Sequence, residues 1–179
     1  MIARPMPTRS KALLRPARWQ DFETLHAIDQ ACYPPSIAYT RGEMRWYLSL
    51  PGAECMVAEL TTRAAGASQA RRSIAGFVVS VSRGTHGHLV TIDVLETYRR
   101  KGVASALLRR VEAKMKRGGI QEVWLETATN NEAAIAFWKK HGYRTHGVLP
   151  NYYPNGVDAY AMSKRLESAK KADERERHE

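Results

Sequence analysis

The stretch from His88 to Glu126, HLVTIDVLETYRRKGVASALLRRVEAKMKRGGIQEVWLE, constrains the fold of this chain more than any other. Its run VTIDV is apolar and β-branched, the composition of a buried strand. From Val103 onward, Val103, Leu107, Val111 and Met115 recur every four residues, with Ala104 and Leu108 beside them, which makes one apolar helix face. Arg99-Arg100-Lys101-Gly102-Val103-Ala104 joins the two. Glycine at Gly102 lets the backbone approach a ligand where a side chain would block it. The free N–H groups and positive dipole end of a helix start favour an anion. Strand, basic glycine turn and helix together propose a phosphate cradle; the plain alternative is an ordinary strand-to-helix turn. The dinucleotide pattern is excluded, since it needs three glycines and an acid about 20 residues on, and a Walker loop is excluded because no Gly-Lys-Ser/Thr follows.

The rest of the chain supplies alternating strand and helix patterns. Residues 1–10, with Pro5 and Pro7, read as a loose, flexible segment. ALLRPAR is a short strand stopped by Pro16. Trp19 to Cys32 is a helix with Phe22, Leu25 and Ile28 as its buried stripe, and YPPS breaks it. Thr40 to Leu50 is a second helix, with Thr40 and Glu43 in capping-box spacing. ECMVAEL and IAGFVVSVS are strands, the second with Gly76 inside as a bulge signal. The small, polar and basic TTRAAGASQARRS between them reads as a long flexible hairpin loop. Gly118-Gly119 ends the long helix, QEVWLET is a strand, and Asn131 to His141 is a helix ended by Gly142. YRTHGVL and VDAYAMSKRL are the last strands, and residues 167–179 form a charged, solvated tail.

Length and composition set the outer bounds. A chain of 179 residues fits one domain, and 44% hydrophobic with 26% charged residues makes a packed core feasible. No apolar run is long enough for a membrane span. Cys32 and Cys55 are too few for a disulfide framework or metal cluster, so a reducing, cytoplasmic setting and no metal are expected. A net charge of +10 favours acidic partners, nucleic acid or an anionic cofactor among them, or simply a basic solvated surface. No aromatic-basic alternation of the kind that stacks bases accompanies it.

Arg99-x-x-Gly102-x-Ala104 resembles the pyrophosphate loop of the GNAT superfamily of acyl-CoA-dependent N-acetyltransferases. The resemblance covers residues 11–166. Its C-terminal half is most similar to RimI-type ribosomal-protein and other protein N-terminal acetyltransferases, through YRRKGVASALL, WLETATNNEAAIAFWKKHGY, NYYPNGVDAYAM and the N-terminal YPPS. It implies a single α/β (α+β) domain: a mixed, mostly antiparallel seven-stranded sheet with about four helices, splayed between the fourth and fifth strands. It implies acetyl-CoA as cosubstrate, with Arg99, Arg100, Lys101, Gly102, Val103, Ala104 and Ser105 on the pyrophosphate. Main chain from Ile92, Asp93 and Val94 faces the pantetheine and thioester in such enzymes, and Asn131 corresponds to the asparagine that contacts the pantetheine. Tyr33 and Pro34 on one side, and Tyr152 and Tyr153 on the other, line the expected substrate groove.

Acetyl transfer requires an amine to lose a proton, a carbonyl to be polarised and a thiolate to leave. Glu126, in LET five residues before Asn131, matches the glutamate base of RimI-like enzymes. His88 is a second catalytic candidate: it is expected to open the fourth strand, where N-terminal acetyltransferases carry a catalytic tyrosine, the alternative being a strand-end histidine exposed at a turn. The family's acid is a tyrosine in the fourth helix, and Trp138 stands there instead, beside the cofactor arm. An indole N–H does not give up a proton to a thiolate. Solvent or another tyrosine supplies that proton, or the chain is impaired; both stay open. A free α-amine, with a pKa of ~7.7–8.0 against ~10.4 for lysine, costs roughly 3–4 kcal/mol less to deprotonate at neutral pH. That difference permits an α-amine acceptor without requiring one; the similarity of NYYPNGVDAYAM to the N-terminal enzymes implies acetyl transfer to a protein or peptide N-terminus, a ribosomal protein among the candidates. Lysine or small-amine acetylation and a catalytically weak CoA-binding regulatory module are the alternatives, and no membrane partner or nucleic-acid substrate is expected.

Overall fold

The computed structural model of the chain describes residues 12–62 and 71–166. In order, these form β1 (Leu13–Pro16), a 3-10 turn (Trp19–Asp21), α1 (Phe22–Cys32), α2 (Arg41–Ser49), β2 (Ala53–Thr62), β3 (Arg71–Arg83) and β4 (His86–Val94). A second 3-10 turn (Glu96–Tyr98), α3 (Val103–Arg117), β5 (Glu122–Ala128), α4 (Glu132–Lys140), β6 (Arg144–Leu149) and β7 (Ala159–Arg165) follow. The strands make one sheet in the order β1-β2-β3-β4-β5-β7-β6. Only β4 and β5 run parallel. Four α-helices and a mixed seven-stranded sheet match the expected class.

Each face of the sheet has its own core. The apolar stripe of α3, with Leu107, Leu108, Val111 and Met115, packs with Met56, Val78, Leu89, Val123, Leu125 and Met162. On the other face Phe22, Leu25, Ile28 and Met44 cover Val57, Phe77 and Val79. Each such side chain contributes about 1.5–3 kcal/mol by leaving water. The α2 N-terminus has the expected reciprocal cap: Glu43 N–H donates to Thr40 Oγ1 at 3.2 Å and Thr40 N–H to Glu43 Oε2 at 2.8 Å.

Two bulges shape the centre. Ala58 lies opposite Gly76 and Glu59 opposite Ile74, so Ala75 is the extra residue, one position from the glycine that signalled it. Val79 lies opposite Thr91 and Ser80 opposite Leu89, so Val90 is extra in β4, and nothing in VTIDV announced it. The hairpin loop is shorter than its composition suggested. Thr61 pairs with Arg72 and Thr62 with Arg71, because ladder hydrogen bonds extend the strands through polar residues. The rest of that loop, residues 1–11 and the tail at 167–179 lie outside the described residues. Strand β4 starts at His86, ahead of the expected VTIDV, so His88 is inside the strand and does not open it. At the far border β6 is exposed along its length, with a register shift at His146. No helix among the described residues is long and apolar enough to cross a membrane.

A Cβ on Gly76 would sit 2.4 Å from the Asp93 carbonyl oxygen and 2.9 Å from Val94 Cγ2. Gly76→Ala is expected to lower stability by about 1–3 kcal/mol, the usual cost of overpacking, read as a reduced urea midpoint.

Candidate active site

The site begins where two strands part. Strands β4 and β5 pair only at His86–Glu122, Gly87–Val123 and His88–Trp124. Beyond that point β4 keeps its ladder with β3, and β5 its ladder with β7, so the two diverge and leave facing edges unpaired. His88 and Glu126 stand at this fork. His88 Nε2 and Glu126 Oε2 are 2.7 Å apart, with the side chains 39% and 22% exposed, so both are reachable from solvent. The sequence had singled out the two residues separately; the fold joins them in one hydrogen bond.

Past the end of β4 the chain turns through Arg99–Gly102 into α3. Arg100 has φ 58° and Gly102 φ 83°, left-handed conformations that turn successive N–H groups toward one side. The α3 N-cap has no side-chain hydrogen bond, and none of the main-chain N–H groups from Arg100 to Ser105 finds an acceptor among the described residues. A Cβ placed on Gly102 would meet nothing within 4 Å, so the space above the turn is open. Unsatisfied amides, a helix dipole and basic side chains suit a diphosphate. Ser105 Oγ is 2.9 Å from His141 Nε2, which leaves the Ser105 N–H as its contribution to the row. Burial lowers the His141 pKa below its usual value, favouring the neutral ring in that contact.

The other expected cofactor contacts differ in how free they are. The Val94 carbonyl accepts from Arg99 Nε at 2.9 Å and from Cys32 Sγ at 3.5 Å, and Asp93 lies opposite Phe77 in the β3 ladder. Asn131 is the α4 N-cap, its Oδ1 accepting from Ala134 N–H at 3.1 Å, and its amide NH2 has no partner among the described residues. Trp138 is 6% exposed in the α3-facing core, with ring centroids 4.9 Å from Phe137 and 5.3 Å from Tyr143.

Tyrosines border the Glu126 side. Burial and then the Glu126 charge raise the pKa of Tyr152 above its usual value, and the same causes push Tyr153 up to about 12. Both phenols stay protonated beside the carboxylate. Their rings meet edge to face at 5.1 Å. Across the site Tyr33, the residue that ends α1, has its hydroxyl 3.4 Å from Thr91 Oγ1, and Pro34 beside it is exposed.

One group was seen only as backbone in the sequence. The Asp93 side chain is 1% exposed; Thr91 Oγ1 donates to its Oδ1 at 2.7 Å, and its Oδ2 has no partner. Burial pushes its carboxyl up to about 7; the hydrogen bond from Thr91 opposes this and the charge of Asp29 adds to it. An acid inside an otherwise apolar strand was the available signal.

The Acetyltransferase (GNAT) family matches residues 19–143. Fold, fork and amide row define an acyl-transferase architecture, and the chain belongs to the GNAT acetyltransferase family. It is 43% identical over 81 residues to an N-alpha-acetyltransferase of Saccharolobus solfataricus, covering 45% of this chain and 48% of the relative. The chain spans about half the length of the curated relatives it matches. A crystal structure of Ard1 from Thermoplasma volcanium superposes with TM-score 0.73 at 26% identity, over 88% of this chain and 99% of that one. The ribosomal-protein-S18-alanine N-acetyltransferase of Escherichia coli shares the fold, with TM-score 0.74 at 21% identity over 88% and 96%.

A carboxyl whose folded value is about 7 against an ordinary 3.8 binds more protons folded than unfolded across that window, so stability falls as pH rises through it. Relative to Asp93→Asn, the wild type should lose up to about 1.4 kcal/mol per pH unit between roughly pH 4 and 7, and urea midpoints across that range measure it.

Proposed function

We propose that this chain is an acetyl-CoA-dependent N-acetyltransferase acting on the N-terminal α-amine of a protein or peptide, a ribosomal protein among the candidate substrates. The observation that carries this reading is the 2.7 Å His88–Glu126 contact at the fork, in a fold that also leaves the amides at Arg100–Ser105 open. The amides hold the diphosphate, and the parted edge of β4 guides the acyl arm toward the fork. The similarity to N-alpha-acetyltransferases over the C-terminal half supports the choice of acceptor.

In this reading the α-amine attacks the thioester carbonyl carbon. A C–N bond forms, the C–S bond breaks, and CoA departs as thiolate. Glu126 accepts the proton the amine loses, directly or through a water. With the His88 proton on Nε2, the imidazole donates to Glu126 and leaves Nδ1 as a second acceptor, so the pair passes a proton as one unit. Trp138 offers no acidic proton, and tyrosines held above their usual pKa are poor acids, so the thiolate takes its proton from solvent.

Glu126→Gln is expected to lower turnover by about 10²–10⁴-fold while acetyl-CoA affinity, measured by calorimetry, stays near wild type. Peptides with free or blocked N-termini, with and without lysine, identify the acceptor. Transfer should vanish on blocking; transfer that survives blocking but needs lysine would move the assignment to lysine.

A further inference from the structure

We propose that Asp93 is a positioning residue of the acceptor site: acting through Thr91, it fixes the hydroxyl of Tyr33 and with it the wall against which the accepting amine lies. This rests on reading Tyr33 as part of that wall. The direction of the hydrogen bonds carries it. A threonine hydroxyl has one proton, and Thr91 gives it to Asp93 Oδ1 at 2.7 Å. Toward Tyr33, 3.4 Å away, Thr91 is then only an acceptor, so the phenol donates. The buried carboxyl thus sets, by way of Thr91, the orientation of the neighbouring phenol.

The same segment is held at its other end. Tyr39 N–H donates to Asp29 Oδ2 at 2.8 Å, and Tyr39 Oη donates to the carbonyl of Val90, the bulged residue of β4, at 3.4 Å. Residues 33–39 therefore span between two buried acids, with both terminal tyrosines fastened to β4 beside the fork. Asp29 is fully buried, and Asp29 Oδ1 and Asp93 Oδ2 are the buried side-chain oxygens without a partner among the described residues. Half-satisfied buried carboxyls cost stability that apolar residues of similar size would not. Packing gives no reason for Asp93; an oriented Tyr33 does. The titratable and charged groups around Asp93 are Asp29, Cys32, Tyr33 and Tyr39 from α1 and the segment after it, Cys55 from β2, and Arg99 from the cradle turn.

The test uses the full chain, saturating acetyl-CoA and a free-N-terminus peptide that it acetylates. Thr91→Val and Tyr33→Phe should each raise the peptide KM about five-fold, the equivalent of one hydrogen bond of about 1 kcal/mol, with kcat nearly unchanged. The double variant should be no worse than either single one. Between about pH 6 and 8 the ratio of wild-type to Asp93→Asn peptide KM should change, because only the wild type ionises there. Unchanged KM in Thr91→Val, additive losses in the double variant, or a pH-independent ratio would overturn the proposal. A second readout needs no turnover. In the protein without peptide, the NMR ring resonances of Tyr33 should shift with pH in the wild type and stay still in Asp93→Asn. If no amine is acetylated yet this shift is present, the functional reading fails and the Asp93–Tyr33 linkage stands; if the shift is absent, the linkage fails whatever the activity.

Discussion

The ladder between β4 and β5 stops after three residue pairs, and the rest of the site depends on that stop. A continued ladder would close the sheet and leave no passage between its halves. Each strand stays paired on its outer side, β4 to β3 and β5 to β7, so the opening does not leave either strand loose. The cost of unpaired main chain is confined to two facing edges, and unsatisfied backbone groups there are the ones a ligand can use. His88 lies on the last paired rung and Glu126 two residues past its partner Trp124. Divergence therefore begins beside the two residues proposed to handle the proton.

The second half of the site is the turn into α3. A helix start normally recruits a side chain to cap its first amides. Here Gly102 occupies the N-cap position with a left-handed backbone and no side chain to offer. The same choice of residue leaves the amides open and the space above them empty. The long apolar stripe of α3, buried against the sheet, fixes where those amides point. Core packing and ligand geometry are thus set by one element.

Much of this was legible in the residues. The four-residue spacing of Val103, Leu107, Val111 and Met115 specified the helix, and the Arg99–Ala104 string specified its unusual start. Thr40 and Glu43 specified a cap that forms as expected. Glu126 and His88 were separately visible, since each matches a position where related enzymes place a catalytic group. Their contact was not visible, because it joins residues 38 apart in sequence and depends on strand pairing. The bulge at Val90 left no mark either: a β-branched residue is as suitable in a regular strand as in a bulge. The hairpin between β2 and β3 was read as loop from Thr61 because small and basic residues dominate it, yet backbone pairing extends to Thr62 and Arg71. Asp93 was counted for its backbone alone. Which face of β4 its carboxyl takes depends on the bulge before it, and periodicity cannot supply that.

The outer border of the sheet has a bearing on the molecule's behaviour in company. Among the described residues strand β6 is exposed throughout and ends the sheet, so its outer side is a template on which a strand from another molecule could lie. The register shift between Thr145 and Gly147 breaks the regular spacing of that template at its middle, and Arg144 puts a positive charge at its start. A kinked, charged margin pairs poorly with a straight one, so the irregularity at His146 works against edge-to-edge pairing there.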